Sequence, residues 1–200
     1  MPRPSKKTER IDEILQAFQR CILQYGLAGS SLELIATEAG MQRSLVRHFA
    51  GTRNKLIGLL ASSIIEETDE QWRQFKEALP RRGAIGWLLE GLFSPQRDTN
   101  DKQIILSTLT HESGNNPALR AMLEGWIEQF LGDLKEILKQ EYPNASPEDL
   151  SAVSFGVCSL YINLDSMATP LELEHKFRAD AFRAAEQLIS TLKNNSVLGV

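Results

Sequence analysis

Gln42, Arg43, Ser44, Arg47 and His48 crowd one short stretch of this 200-residue chain and offer amide, guanidinium, hydroxyl and imidazole groups within seven positions. On one exposed helix such groups match the chemistry of a B-DNA major groove. Arg pairs with O6 and N7 of guanine, Gln pairs with adenine, and either holds a phosphate. Duplex DNA is therefore the first partner the sequence points to. A solvated helical hairpin is the plainer alternative, since polar residues are the default on an outer helix face.

The flanking residues say how such a helix would be held. In SLELIATEAGMQRSLVRHF (31–49), Ile35, Ala39, Met41, Val46 and Phe49 are apolar at the spacings two crossed helices need to share a small core, and Ala36 gives clearance at their close approach. Gly40 marks the turn, because glycine accepts a left-handed backbone without a Cβ penalty. Ser30 and Glu33 form an S-x-x-E pattern that predicts a capping box at the start of the first of these helices. Upstream, Ile11, Ile14, Leu15, Phe18, Ile22 and Tyr25 recur at steps of three and four and predict a third helix that stops at Gly26. Downstream, Thr52 is a suitable N-cap for a helix through Leu56, Leu59, Leu60 and Ile64 to about Leu79, ended by Pro80 and Gly83.

The rest of the chain continues in helical periods, so the expected class is all-α. Segments are predicted at about 84–94, 101–113, 117–141, 147–168 and 171–193, separated by Pro95, Gly114-Asn-Asn-Pro117, Tyr142-Pro143 and Thr169-Pro170. Ser146-Pro147-Glu148-Asp149 is a strong helix start, with an N-cap, a proline in the first turn and two carboxylates at the positive end of the dipole.

Charge is unevenly spread. The chain carries -4 overall, yet residues 1–60 hold nine Lys or Arg against five Asp or Glu, while the remainder holds 13 against 21. An acidic body would repel DNA and confine contact to the basic end. The start, MPRPSKKTER, lacks the apolar stretch of a secretory signal and serves equally as a phosphate-touching arm or a solvated tail. Leu56–Ile65, the nearest approach to a membrane span, is interrupted by Gly58, Ser62 and Ser63, so a soluble protein is expected. Cys21 and Cys158 lie far apart without metal-ligand spacing and read as reduced core thiols of a cytoplasmic protein.

Two further features bear on partners. Ala152, Gly156, Ser159 and Asn163 line one face of the penultimate helix with small side chains, and Phe177, Ala181, Ala184, Ala185, Leu188 and Leu192 give the last helix an apolar face. Two such helices from each of two subunits would make a four-helix bundle, although packing within one chain explains them as well. Trp87, Phe93, Trp126, Phe130, Phe155 and Tyr161 could line a ligand cavity or simply fill a core, and His111 with Glu112 could add polar contacts. An enzyme is disfavoured: His48, His111 and His175 are scattered, and there is no G-x-S-x-G, phosphate-binding glycine loop or paired-cysteine motif. A helical enzyme or a protein-interaction module remains the alternative class.

With these residues in view, the chain resembles the TetR-type bacterial transcriptional regulators over nearly its whole length. The specific part is residues 11–60: the Ile14–Phe18 core helix, Gly26, Ser30-Ser31-Leu32, Ile35-Ala36, Gly40-Met41 and Gly51-Thr52-Arg53-Asn54-Lys55-Leu56. The remainder is similar in length, helix count and break positions. The resemblance implies a helix-turn-helix DNA-binding domain at 1–50, a connecting helix at about 52–79, and a helical effector-binding and dimerisation domain at 51–200. It implies that Ser30 and Ser31 meet a phosphate, that Gln42, Arg43 and Ser44 open the recognition helix, that His48 touches base or phosphate, and that Arg53 stands where a lysine usually neutralises a phosphate. Arg47 replaces a tyrosine that commonly holds a phosphate, and Ala50 replaces a common phenylalanine. Such proteins act as homodimers on partly palindromic operators, commonly as repressors released by a small-molecule effector, and need no cofactor. The pocket would draw on Trp87, Phe93, His111, Trp126, Phe130, Phe155 and Tyr161. The dimer would draw on Ala152, Gly156, Ser159, Asn163, Phe177, Ala181, Ala184 and Leu188.

Overall fold

Helical periodicity with glycine and proline punctuation carries through to the backbone. The computed structural model describes residues 6–94, 101–164, 166, 171 and 173–195, and every regular element among them is helical. In order these are α1 (Lys6–Gly29), α2 (Leu32–Glu38), α3 (Arg43–Ala50), α4 (Arg53–Ala78), α5 (Ala84–Phe93), α6 (Asp101–Glu112), a 3-10 turn at Ser113–Asn115, α7 (Pro117–Glu141), α8 (Pro147–Asn163) and α9 (Glu174–Asn195). The all-α class is as the sequence predicts. Residues 1–5, Pro95 and Thr169-Pro170 lie outside the described residues.

Local chemistry explains the joints. α1 breaks at Gly26, whose φ of 69° and ψ of 168° suit glycine alone. Ile14, Leu15, Phe18 and Ile22 are buried as expected, together with the smaller Ala17 and Cys21. Tyr25 corrects the expected apolar row: it is 50% exposed, and Leu27, just past the break, is buried instead. At the start of α8, Ser146 Oγ accepts a hydrogen bond from the amide of Asp149 at 3.0 Å with Pro147 at the first helical position. No helix among the described residues is long and apolar enough to cross a membrane.

The chain groups into two compact units. The first takes residues up to Glu70 and Asp101–Leu123; the second takes Gln71–Asn100 and Glu124 onward, so α4 and α7 each supply residues to both. In the first, α1 packs on α2, α3 and α6, and α2 packs on α3. Its interior includes Ile14, Phe18, Ile35, Leu56, Ile57, Leu60, Ile64, Ile105 and Leu109, all fully buried. Each such side chain contributes about 1.5–3 kcal/mol of burial free energy. In the second, α9 packs on α5 and α8 over a core of Leu88, Phe93, Leu138, Val157, Cys158, Ala185 and Leu192. Gly91 leaves room for the ring of Phe75, which a Cβ there would overlap.

Candidate nucleic-acid interface

The site is built on the turn between α2 and α3. Gly40 has a φ of 63°, its amide donates to the Thr37 carbonyl at 3.1 Å, and the Met41 amide donates to the Ala36 carbonyl at 2.9 Å. This nested pair is a Schellman motif, which satisfies the last carbonyls of α2 and fixes the direction in which the chain leaves it. Val46 and Ala50 anchor α3 from below, and both are fully buried against the rest of the unit. Phe49 is half-buried and meets the His48 ring edge-on, with centroids 5.0 Å apart at 76°. At the far end Gly51 has a φ of 79° and Thr52 Oγ1 accepts from the Lys55 amide at 3.3 Å, so α4 starts where its N-cap residue predicts.

The serine pair at the start of α2 divides its work differently from the expectation. Ser31, not Ser30, caps the helix, its Oγ accepting from the Leu34 amide at 3.2 Å. Ser30 is fully buried, its Oγ donating to the Gly26 carbonyl at 2.8 Å. The capping box of Ser30 with Glu33 is therefore not formed, and Ser30 cannot reach a phosphate because its hydroxyl is turned inward to satisfy the broken end of α1. Glu33 is engaged elsewhere: Arg43 Nη1 lies 2.7 Å from Glu33 Oε1.

Gln42, just before α3, and Arg43, Ser44, Arg47 and His48 on it are all exposed, as their types suggest. Gln42 stands at the N-cap without using its amide there. Its side chain is thus not consumed in holding the helix. Arg53 is partly buried and its Nη2 donates to the Leu27 carbonyl at 2.6 Å, tying the start of α4 to the residue after the α1 break. That charge-assisted bond gives Arg53 a structural role that the sequence did not signal. Arg20 likewise pairs with Glu38 at 2.6 Å, linking α1 to α2. Leu45 also escaped the sequence reading: it is a leucine on α3 left 45% exposed.

The residues expected to line a ligand pocket are divided between the two units. Phe93, Phe130 and Tyr161 come together in the second unit, Tyr161 standing 6.4 Å from Phe93 and 5.8 Å from Phe130 between ring centroids. Trp72 and Phe75, which the sequence reading omitted, extend this cluster, and Asp133 Oδ2 accepts from Trp72 Nε1 at 2.9 Å and from Lys76 Nζ at 2.6 Å. Trp87 and Phe155 correct the pocket expectation, being 59% and 64% exposed. His111 belongs to the first unit, exposed with Nδ1 2.8 Å from the Ser107 carbonyl oxygen, while Trp126 is half-buried on α7.

On α8 and α9, Gly156 permits an intrachain approach: a Cβ there would meet Leu188 Cδ1 at 2.9 Å. Beside it runs a groove of about 740 Å³ bordered by Ser159, Asn163, Phe177, Ala181, Ala184 and Leu188. Ala152 is exposed on α8 and does not border it. Both thiols are buried, which favours their protonated form. Burial raises Cys158 to about 11, and burial, aided by Glu38, raises Cys21.

No family model matches the sequence. The HTH-type transcriptional regulator PksA of Bacillus subtilis (strain 168) is 28% identical over 92 residues, which is 45% of this chain and 45% of that protein. The match thus spans under half the length of that relative. Whole-chain similarity is found among solved structures. A TetR transcription regulator from Haloarcula marismortui ATCC 43049 has a TM-score of 0.78 at 18% identity, over 92% of this chain and 98% of that one. The multidrug binding protein EbrR, solved with imidazole, has a TM-score of 0.60 at 18% identity, over 93% and 96%.

Proposed function

From the premise that this chain carries the fold of the TetR-family transcription regulators, we propose that it is a DNA-binding transcriptional regulator whose recognition element is α3. The observation that carries this reading is the outward display of Gln42, Arg43, Ser44, Arg47 and His48 from a helix anchored by buried Val46 and Ala50. Gln42, Arg43 and Ser44 read base edges near the start of the helix; Ser31, Arg47 and Arg53 meet the phosphate backbone; His48 serves either role. Residues 1–50 form the reading domain, α4 connects it onward, and residues 51–200 house effector binding and dimerisation.

Two copies joined through α8 and α9 present two such heads to successive major grooves of a partly palindromic operator. The exposed Phe155 and Phe177 and the apolar groove beside them support this face as the dimer contact. The protein acts as a repressor, and a small molecule that favours a spacing of the heads incompatible with the operator releases it by the same coupling free energy that DNA exerts on the ligand. The likeness to a protein solved as a multidrug binder with imidazole supports a ligand-responsive body. Selection of bound duplexes from a random pool tests the reading: enrichment of an inverted repeat supports it, and a pool that stays random after repeated rounds contradicts it.

A further inference from the structure

Among the exposed side chains of α3 the apolar one is Leu45, and a major groove offers such a group a partner. Val46 and Ala50 are buried and define the inward side of α3. At 3.6 residues per turn, Ser44 and His48 then lie opposite, with Leu45 along one border of that outward strip and Arg47 along the other. Leu45 is 45% exposed, whereas Val46, one position on, is fully buried, so its exposure follows from its place on the helix. Its neighbours Gln42, Arg43, Ser44 and His48 are polar and exposed, and the N-terminal 60 residues carry the chain's excess of basic charge. Together they suit a polyanion, and half-buried Phe49, four positions on, flanks Leu45 yet leaves it 45% exposed.

Among the groups that base pairs present in the major groove, the C5-methyl of thymine is the apolar one. A leucine there cannot satisfy O6, N7 or an exocyclic amine, and it would desolvate them without compensation. We infer that Leu45 is a specificity-determining residue that reads a thymine methyl in each operator half-site. This rests on the proposed regulator function.

Replacing thymine by deoxyuridine removes the methyl and leaves the hydrogen-bonding edge intact, so the test is a cycle. On the duplex obtained by selection, each thymine of a half-site is replaced in turn by deoxyuridine, and affinity is measured for the wild-type chain and for Leu45→Ala. Leu45 is exposed and alanine is a strong helix former, so the variant keeps α3. One position is expected at which deoxyuridine weakens the wild type about fourfold, the size of one lost methyl contact. Leu45→Ala is expected to lose a similar factor on the thymine duplex and to be indifferent to the replacement. Indifference of the wild type at every thymine overturns the inference, as does a methyl effect that survives unchanged in Leu45→Ala. A Leu45→Ala variant that changes its oligomeric state and keeps its duplex affinity also overturns it, and assigns the leucine to a protein contact. Failure of the parent reading looks different: no duplex is enriched at all.

Discussion

At the residue scale, the two arginines of α3 differ in what holds them. Arg43 is paired with Glu33 at 2.7 Å, both side chains more than half exposed. An exposed pair of this kind contributes at most about 1 kcal/mol, so it steers the guanidinium without preventing it from exchanging the carboxylate for guanine. Arg43→Ala is expected to cost about 1–3 kcal/mol on the selected operator and to relax preference at one position of the half-site. Arg47→Ala is expected to weaken binding to all duplexes by a similar factor and to lower the salt slope by about one. Titrations at several salt concentrations distinguish them, and identical behaviour of the two variants would contradict the division of roles. The serines show where residue types alone mislead. Ser30 and Ser31 are equally good caps by composition, and only the break of α1 at Gly26 makes one a buried donor and the other the cap. Arg178 is a similar case. It is buried on the same row of α9 as Ala185 and Ile189, and no hydrophobic pattern would place a guanidinium there.

At the scale of elements, the helix-turn-helix was legible because each of its joints is set by near neighbours. Gly40 closes a Schellman motif within six residues, and Val46 shares one face of α3 with buried Ala50 at a step of four. Gly40→Ala puts a Cβ on a backbone with a φ of 63° but meets no atom within 4 Å, so the cost is conformational rather than steric. A loss of about 1–2 kcal/mol is expected in denaturant unfolding. A loss well above that would mean that the turn is packed more tightly than its surroundings indicate. The aromatic cluster was less legible, because Trp72 on α4, Phe130 on α7 and Tyr161 on α8 are brought together by long-range packing that no local period encodes. The same holds for Trp87, which the helical period alone could not assign to surface or core. Cys158 carries a prediction for α8. Its buried thiol holds its proton to about pH 11, whereas an unfolded thiol releases it from about pH 9. The unfolded state therefore binds fewer protons in that window, and the contribution of Cys158 to stability is fully present below pH 9 and lost as pH rises towards 11. Unfolding of the wild type and Cys158→Ala from pH 8 to 11 checks this: the difference between them should shift across that window, and a constant difference would contradict it.

At the scale of the whole molecule, sequence and structure agree on class and helix order, while compactness groups the helices in a way linear reading does not. α6 joins the first unit by packing on α1, although some 70 residues separate them in the chain. The proposed dimer belongs to this scale. Sedimentation at micromolar concentration is expected to give twice the 22.4 kDa chain mass. Phe177, 41% exposed on the groove wall, is expected to act as an interface anchor. Phe177→Glu should raise the dimer dissociation constant by roughly 30-fold or more while leaving the monomer folded. A wild-type chain that sediments at single mass would contradict the bundle of α8 and α9. Whether α3 reads duplex sequence is decided by one titration. Fluorescence anisotropy would follow binding of the chain to the selected duplex and to a scrambled duplex of equal composition, from about 50 to 200 mM salt. Affinity is expected to be at least about 10³-fold tighter for the selected sequence at physiological salt and to fall steeply as salt rises on both. Equal affinity for the two duplexes, or no binding to either, would contradict it.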